Sequence, residues 1–201
     1  LRWVPVPNAV NQNFPTELVP TADIIKDVLS FQLRRVKILN FMKIALDVFG
    51  GDNASLSNIK GAFAYLEDNN ENAAELILVG DEGQIKTNLD SLALDSSKVS
   101  IVHTTEVVDM NERSSRIFRE KPDSSLVKSV QLVKDGEAQA VVSAGNTGAL
   151  LASGLFLIGK IPGIRRPAFA PFIPTNKGGF ILCDAGANAD SKPQHLVQFA
   201  L

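Results

Sequence analysis

Short apolar runs alternate with helical patterns from residue 42 to the end of the chain, and this alternation most constrains the fold. The strand-length runs lie at residues 43–48, 76–79, 99–102, 140–143 and 180–183. Between them, apolar residues recur three and four positions apart, as at Ile59, Ala62, Phe63 and Leu66, which is typical of an amphipathic helix. Strands that alternate with helices predict an α/β fold with a mostly parallel sheet and helices on both of its faces.

Residues 1–41 do not share this alternation. The first twenty carry four prolines without a periodic pattern, and apolar residues from Ile24 to Val36 then form a helical stripe. We interpret this segment as an extension that precedes a domain at residues 42–201. Its helix is either a packing helix or upstream sequence without a native role, and an amphipathic membrane helix is the less favoured alternative. Because the chain begins at Leu1, has its first methionine at Met42 and stops inside a predicted helix, we expect it to be a fragment.

The composition is that of an ordinary globular domain, with 45% hydrophobic and 21% charged residues. A formal net charge of −2 gives no basic excess for nucleic acid, and the two histidines leave little for a His-rich metal site. The single cysteine, Cys183, excludes an internal disulfide, fits a reducing cytoplasm and is predicted to be a small core residue inside a strand.

Three predicted strands end in small and polar residues. Ligands bind beyond the carboxyl ends of the strands in open parallel sheets, so parallel strands would bring these turns to one rim. The residues of the three turns are Asp47, Gly50, Gly51 and Asp52; Ser143, Gly145, Asn146, Thr147 and Gly148; and Asp184, Gly186, Asn188, Asp190 and Lys192.

The turn at residues 143–148 is the strongest candidate for an anion site. It joins an apolar strand to a helix, where free backbone N–H groups and the helix dipole favour phosphate. It matches neither the P-loop nor the dinucleotide-binding pattern. On spacing alone, a tight connection with Asn146 or Thr147 as the helix N-cap is equally favoured.

The other candidates also have structural alternatives. Gly50, Gly51 and Asp52 are more typical of a plain turn than of a ligand loop. Asp184 is a general base, a metal ligand or, most commonly, a helix cap. Lys192 would aim a cation at an anion or be solvated, and His195 would transfer protons or lie at a helix start.

A basic cluster precedes the helix that begins near Asp123. It fits an acidic partner or phosphate, but a solvated helix face balanced by Glu112 and Glu120 is slightly favoured. Its members are Arg113, Arg116, Arg119 and Lys121.

Six motifs follow one another along residues 42–201. They are MKIALDVFGGD (42–52), ILVGD (77–81), KPDSS (121–125), VVSAGNTGA (141–149), GIRRPA (163–168) and DAGANADSKPQHL (184–196). Taken together and in this order, they closely resemble one family, the bacterial acyl-[acyl-carrier-protein]:phosphate acyltransferases of phospholipid synthesis, the PlsX family.

The resemblance implies a fold like that of isocitrate dehydrogenase and phosphotransacetylase, a homodimer, and family members that continue beyond Leu201. It implies transfer of a long fatty acyl group from acyl carrier protein to inorganic phosphate, without a metal or cofactor. The acyl phosphate would feed a glycerol-3-phosphate acyltransferase. The family is cytoplasmic and associates peripherally with the membrane.

Within this reaction, backbone N–H groups around residues 145–148 would hold phosphate, and similar donors would stabilise the oxyanion. No covalent nucleophile is needed. The cluster from Arg113 to Lys121 would dock acyl carrier protein. Catalytic roles are unassigned, and the candidates are Asp184, Asn188, Lys192 and His195. The alternatives are a phosphate acetyl- or butyryltransferase that uses coenzyme A thioesters, and a non-catalytic phosphate-binding module.

Overall fold

The computed structural model describes residues 42–69, 73–113, 116–175, 178–186, 188 and 190–200. The predicted extension at residues 1–41 and its helix lie outside the described residues.

A four-stranded parallel sheet forms the centre of the structure. Its strands are β1 (Lys43–Asp47), β2 (Glu75–Gly80), β3 (Val99–His103) and β4 (Ala140–Ser143), in the order β3-β2-β1-β4. Asp47, at the end of β1, lies level with Val79 on one side and with Ser143 on the other. The chain therefore winds outward from β1 through β2 and β3 and then returns to the free edge of β1. This reversal is a topological switch point, where open α/β sheets bind their ligands.

Helices begin where the polar turns end. They are α1 (Leu56–Asn69), α2 (Glu82–Ser91), α3 (Ile117–Glu120), α4 (Ser125–Lys134), α5 (Thr147–Ser153) and α6 (Pro193–Phe199), and α5 continues as a π-helical turn over Gly154–Ile158. Asp81, Ser124 and Asn146 are the N-caps of α2, α4 and α5, and each side chain accepts a backbone N–H of the first turn. The predicted N-cap at Asn146 is confirmed, with Thr147 as the first helical residue.

Side chains that alternate along the strands pack against helices on both faces of the sheet. On one face, Ile44, Leu46 and Leu78 of the strands pack with Ile59 of α1 and Ile85 of α2. On the other face, the cluster is Ala45, Ile77, Val79, Leu132 of α4 and Ala138. The predicted strands near residues 43, 76, 99 and 140 and the two-sided helical cover are thus confirmed.

Part of the predicted fifth strand at residues 180–183 is confirmed, because Phe180 and Ile181 lie in a strand, but its expected place in the parallel sheet is wrong. Instead, β6 (Gly178–Ile181) pairs antiparallel with β5 (Phe172–Thr175) in a separate two-stranded sheet. Only two residues separate β5 from β6, and a hairpin over such a short connection competes with a parallel crossover, which needs a dozen residues or more. Gly178, at the turn, has a φ of +125°, which favours glycine.

Cys183 also differs from its prediction as a core residue. It follows the end of β6 and is exposed, and its thiol donates to the carbonyl oxygen of Phe199 over 3.7 Å. All four residues of β6 are exposed, so the hairpin gives Cys183 no core to enter. Among the described residues, no helix combines the length and the apolar character that crossing a bilayer requires.

Candidate functional site

The turns that follow β1 and β4 touch each other through their backbones at the switch point. A Cβ atom on Gly50 would lie 2.5 Å from Asp47 Oδ2 and 2.7 Å from the backbone nitrogen of Gly145. Gly51 has a φ of +98°, and a Cβ atom there would lie 3.0 Å from the Ala144 carbonyl oxygen. Only glycine fits so close an approach, which explains the paired glycines of the first turn.

Asp47 lies beneath this contact and is almost completely buried, with 1% of its surface exposed. Its Oδ1 accepts the Ser125 hydroxyl over 2.6 Å, and its Oδ2 accepts the Ser143 hydroxyl over 2.7 Å. Burial raises the pKa of Asp47, and the hydrogen bonds from Ser125, Ser143 and the amides of Phe49 and Gly50 oppose this rise. The carboxylate predicted to bind substrate therefore binds the protein's own hydroxyl groups.

Ser143 extends this network into the second turn. While its hydroxyl donates to Asp47, its oxygen accepts the backbone N–H of Gly145 over 3.0 Å. The predicted anion-binding residues Ser143 and Gly145 are brought together, but the N–H of Gly145 is already engaged.

Both the oxygen and the nitrogen of the Asn146 side-chain amide form hydrogen bonds within the protein. Its Oδ1 accepts the N–H of Ala149 over 3.0 Å and so caps α5. Its Nδ2 donates to the carbonyl oxygens of Asp109, Met110 and Glu112 over 3.0–3.3 Å. At 8% exposure, Asn146 fastens the segment at 109–112 to the turn and offers little to a ligand.

Backbone N–H groups remain available on both turns. Those of Thr147 and Gly148, in the first turn of α5, and of Gly51, Asp52 and Asn53 find no hydrogen-bond acceptor among the described residues. Thr147 and Asp52 are exposed. The Asp52 carboxylate carries charge of the same sign as phosphate, so its backbone is the better ligand.

A pocket of about 460 Å³ opens at the same rim, between the N-terminal ends of α1 and α2. Its polar lining is neutral apart from Asp81, and Asn88 Nδ2 donates to Ser55 Oγ over 2.7 Å across it. The lining residues are Ala54, Ser55, Leu56, Asp81, Gly83, Gln84, Thr87 and Asn88.

The third predicted turn follows β6, which belongs to the separate hairpin and not to the parallel sheet. Asp184 Oδ1 accepts the N–H of Phe169 over 2.7 Å, and Oδ2 accepts the backbone N–H of Asn188 over 2.8 Å and its Nδ2 over 3.0 Å. Lys192 and His195 are also joined to each other, because the backbone N–H of Lys192 donates to His195 Nδ1 over 3.2 Å at the start of α6. In the described part of the chain, no hydrogen bond links Asn188, Lys192 or His195 to the turns after β1 and β4.

The basic cluster is divided by the fold. Arg113, Arg116 and Arg119 are exposed, and the guanidinium of Arg119 lies 5.1 Å from the centre of the Phe118 ring. Lys121 instead forms an ion pair with Glu112 and donates to the Val107 carbonyl oxygen over 2.8 Å. Its contact with Lys121 lowers the pKa of Glu112. Lys121 therefore fastens the loop that Asn146 also holds.

Two residues of the site were not predicted from the sequence. Ser125 looked like part of a helix start, and nothing in its spacing indicates a bond to Asp47. Asn58 is fully buried in α1, and its Nδ2 donates to the carbonyl oxygens of Val48 and Gly50 over 2.8 Å each. The one sequence signal for Asn58 was its position as a polar residue next to the apolar stripe that begins at Ile59.

Residues 42–201 match the model of a family that is described as fatty acid synthesis protein. A phosphate acyltransferase of Clostridioides difficile is 46% identical over 160 residues, which are 79% of this chain and 46% of the relative. One of Pelotomaculum thermopropionicum is 49% identical over 160 residues, 80% of this chain and 46% of the relative. The chain spans about half the length of the curated relatives it matches.

Solved structures support the fold. A phosphotransacetylase from Streptococcus pyogenes has a TM-score of 0.62 at 24% identity, over 87% of this chain and 56% of that chain. The EutD phosphotransacetylase from Staphylococcus aureus has a TM-score of 0.58 at 20% identity, over 89% of this chain and 55% of that chain. The parallel sheet with its helices is therefore an α/β fold of the phosphotransacetylase type, as predicted.

Proposed function

The chain belongs to the phosphate acyltransferase family of fatty acid synthesis proteins, and from this premise we propose that its rim binds the inorganic phosphate that accepts a fatty acyl group from acyl carrier protein. The product would be an acyl phosphate for phospholipid synthesis. One observation carries the proposal: the glycine turns after β1 and β4 touch at the switch point, and several of their backbone N–H groups find no acceptor within the described residues.

The reaction requires correct placement of phosphate and thioester more than it requires a nucleophilic side chain. A phosphate oxygen attacks the thioester carbonyl carbon, an oxyanion forms, and its collapse breaks the C–S bond and releases the thiolate of the carrier. Backbone N–H groups on Thr147, Gly148 and the first turn would hold phosphate and orient its attack. N–H donors near the carbonyl oxygen would stabilise the oxyanion.

The thioester donor would bind at the same rim, in the pocket between α1 and α2. Its hydroxyl and amide lining suits an uncharged, hydrogen-bonding arm better than a second phosphate. The donor would thus approach from the β2 side of the bound anion.

A comparison of donors tests the proposal. The complete gene product is incubated with phosphate and either acyl-acyl carrier protein or acyl-coenzyme A, and both thiol release and hydroxylamine-trapped acyl phosphate are measured. We expect phosphate-dependent release with the carrier protein. Preference for coenzyme A would favour the phosphate acetyl- or butyryltransferase alternative, and phosphate binding without release would favour a binding module.

Acyl carrier protein is proposed to dock on the exposed arginines Arg113, Arg116 and Arg119, because an acidic partner is attracted to such a surface. Lys121 is excluded from this surface since it is paired with Glu112. Charge reversal at Arg116 and Arg119 should raise the KM for acyl carrier protein at least severalfold and leave the phosphate KM unchanged. Reversal of Lys98, which is exposed beside β3, is the matched control, and an equal effect of both would contradict this docking surface.

A homodimer, peripheral membrane association in the cytoplasm and delivery to a glycerol-3-phosphate acyltransferase complete the proposal. Their support is the family resemblance. Light scattering tests the dimer, flotation with anionic lipid vesicles tests the membrane association, and coupled acylation of glycerol 3-phosphate tests delivery.

A further inference from the structure

The protein groups around Asp47 separate its carboxylate from any anion bound at the rim. With 1% exposure and a serine hydroxyl on each oxygen, it has no free face toward the rim. A carboxylate and a phosphate also repel each other at short range. Its place in the site therefore needs an explanation other than contact with substrate.

The two hydroxyls come from distant parts of the chain. Ser125 lies 78 residues after Asp47, at the start of α4, and Ser143 lies 96 residues after it, at the end of β4. One buried carboxylate thus joins the end of β1, the start of α4 and the end of β4. Breaking either hydrogen bond would leave a buried polar group without a partner, which costs more than the bond itself contributes, so these links resist displacement.

The same carboxylate controls the distance between the two glycine turns. Ser143 holds Gly145 through its backbone N–H, and Gly145 touches Gly50. A shift of Asp47 would therefore move the backbone of the second turn against that of the first.

We propose that Asp47 is a positioning residue, which sets the spacing of the phosphate-binding N–H groups through Ser143 and Ser125 without contacting phosphate. The inference rests on the proposed function in one respect, that the anion held at this rim is phosphate.

Serine variants of the complete gene product test the proposal. Ser143→Ala and Ser125→Ala each remove one hydroxyl from Asp47. Ser129→Ala is the matched control, because Ser129, like Ser125, is fully buried in α4 but donates to the Ser125 carbonyl oxygen and not to Asp47. Radiolabelled phosphate in equilibrium dialysis gives Kd, and steady-state assays give the KM values for phosphate and acyl donor.

We expect Ser143→Ala to weaken phosphate binding by about tenfold, the effect of one hydrogen bond to a charged group. The phosphate KM should rise in parallel, and the donor KM and kcat should stay within about twofold. Ser129→Ala should lose comparable thermal stability without a change in phosphate Kd. Asp47→Asn should weaken phosphate binding further, and adding Ser143→Ala to it should add less than the single change does.

Equal phosphate Kd values for Ser143→Ala and Ser129→Ala would overturn the positioning role, as would a wild-type protein that binds no phosphate. Weakened phosphate binding in Ser143→Ala without acyl transfer by the wild type would instead refute the proposed reaction and leave the positioning role in place.

Discussion

Gly50→Ala is the substitution that separates the two glycine turns most directly. The new Cβ atom would lie 2.5 Å from Asp47 Oδ2 and 2.7 Å from the Gly145 nitrogen, where ordinary contact begins at 3.4 Å. The obstacles are a buried carboxylate and a backbone, and neither can swing aside as the end of a flexible side chain would. The turns must move apart by nearly 1 Å or the Asp47–Ser143 hydrogen bond must lengthen.

The cost follows from these contacts. Overpacking of this kind costs about 1–3 kcal/mol, and partial loss of a charged hydrogen bond adds to it. We expect the free energy of unfolding to fall by about 2–3 kcal/mol, which for a domain of this size lowers Tm by roughly 4–12 °C. Phosphate binding should weaken by about tenfold or more, because the N–H groups on the two turns lose their spacing.

Thermal unfolding by circular dichroism and phosphate binding by calorimetry measure both effects. Gly154→Ala is the matched control, since a Cβ atom there meets nothing within 4 Å and the backbone is helical with φ −59°. Replacing glycine by alanine lowers the conformational entropy of the unfolded chain equally in both variants, so this contribution cancels in the comparison. If Gly50→Ala kept the Tm and the phosphate Kd of Gly154→Ala, the argument for backbone contact between the turns would be refuted.

Three further predictions concern the residues around the site. Asn146→Ala should cost about 2–3 kcal/mol in urea denaturation, because it removes a helix cap and three carbonyl contacts; Thr147→Ala, at an exposed neighbour, should stay close to the wild type. Tyr65→Phe should cost about 1–3 kcal/mol, because the buried N–H of Ala74 loses the Tyr65 oxygen, and an unchanged midpoint would contradict this. Hydrogen bonds from Thr105 hold the pKa of Asp123 below its usual 3.8, so they contribute stability above that pH that is lost as the pH falls through the lower folded value. Thr105→Val should therefore flatten the acid side of the Tm–pH curve, and an unaltered curve would exclude this contribution.

Strand positions in the parallel sheet were predictable from the sequence because burial on both faces requires nearly continuous apolar runs. Residues 76–79 show this most clearly, since all four lie in β2 and all four are buried. The same criterion misplaced the apolar residues 180–183, of which Phe180 and Ile181 pair locally with β5 and the other two lie outside the strand. Periodicity reports burial of a segment and does not report its partner, so strand order and the hairpin could not be derived from it.

Site residues were predictable as a set but not in their roles. Small and polar residues at strand ends correctly located the turns after β1 and β4. Whether Asp47 contacts a ligand depends on Ser125 and Ser143, which lie 78 and 96 residues away. Such distant contacts leave no local pattern, so a buried carboxylate and an exposed one look alike in the sequence.

The two interpretations of the turn at residues 143–148, anion site and tight connection, do not exclude each other, because they concern different atoms. Its polar side chains make the tight connection, since Ser143 holds Gly145 and Asp47, and Asn146 caps α5. These internal bonds leave the backbone N–H groups of Thr147 and Gly148 as the groups that can hold an anion. Recognition by backbone requires spacing more than side-chain identity, so a phosphate site of this kind need not match any side-chain motif. The spacing of the residues alone therefore left the two interpretations equally favoured. The functional argument rests instead on the position of the turn, which the hydrogen bonds of Ser143 to Asp47 and Gly145 hold.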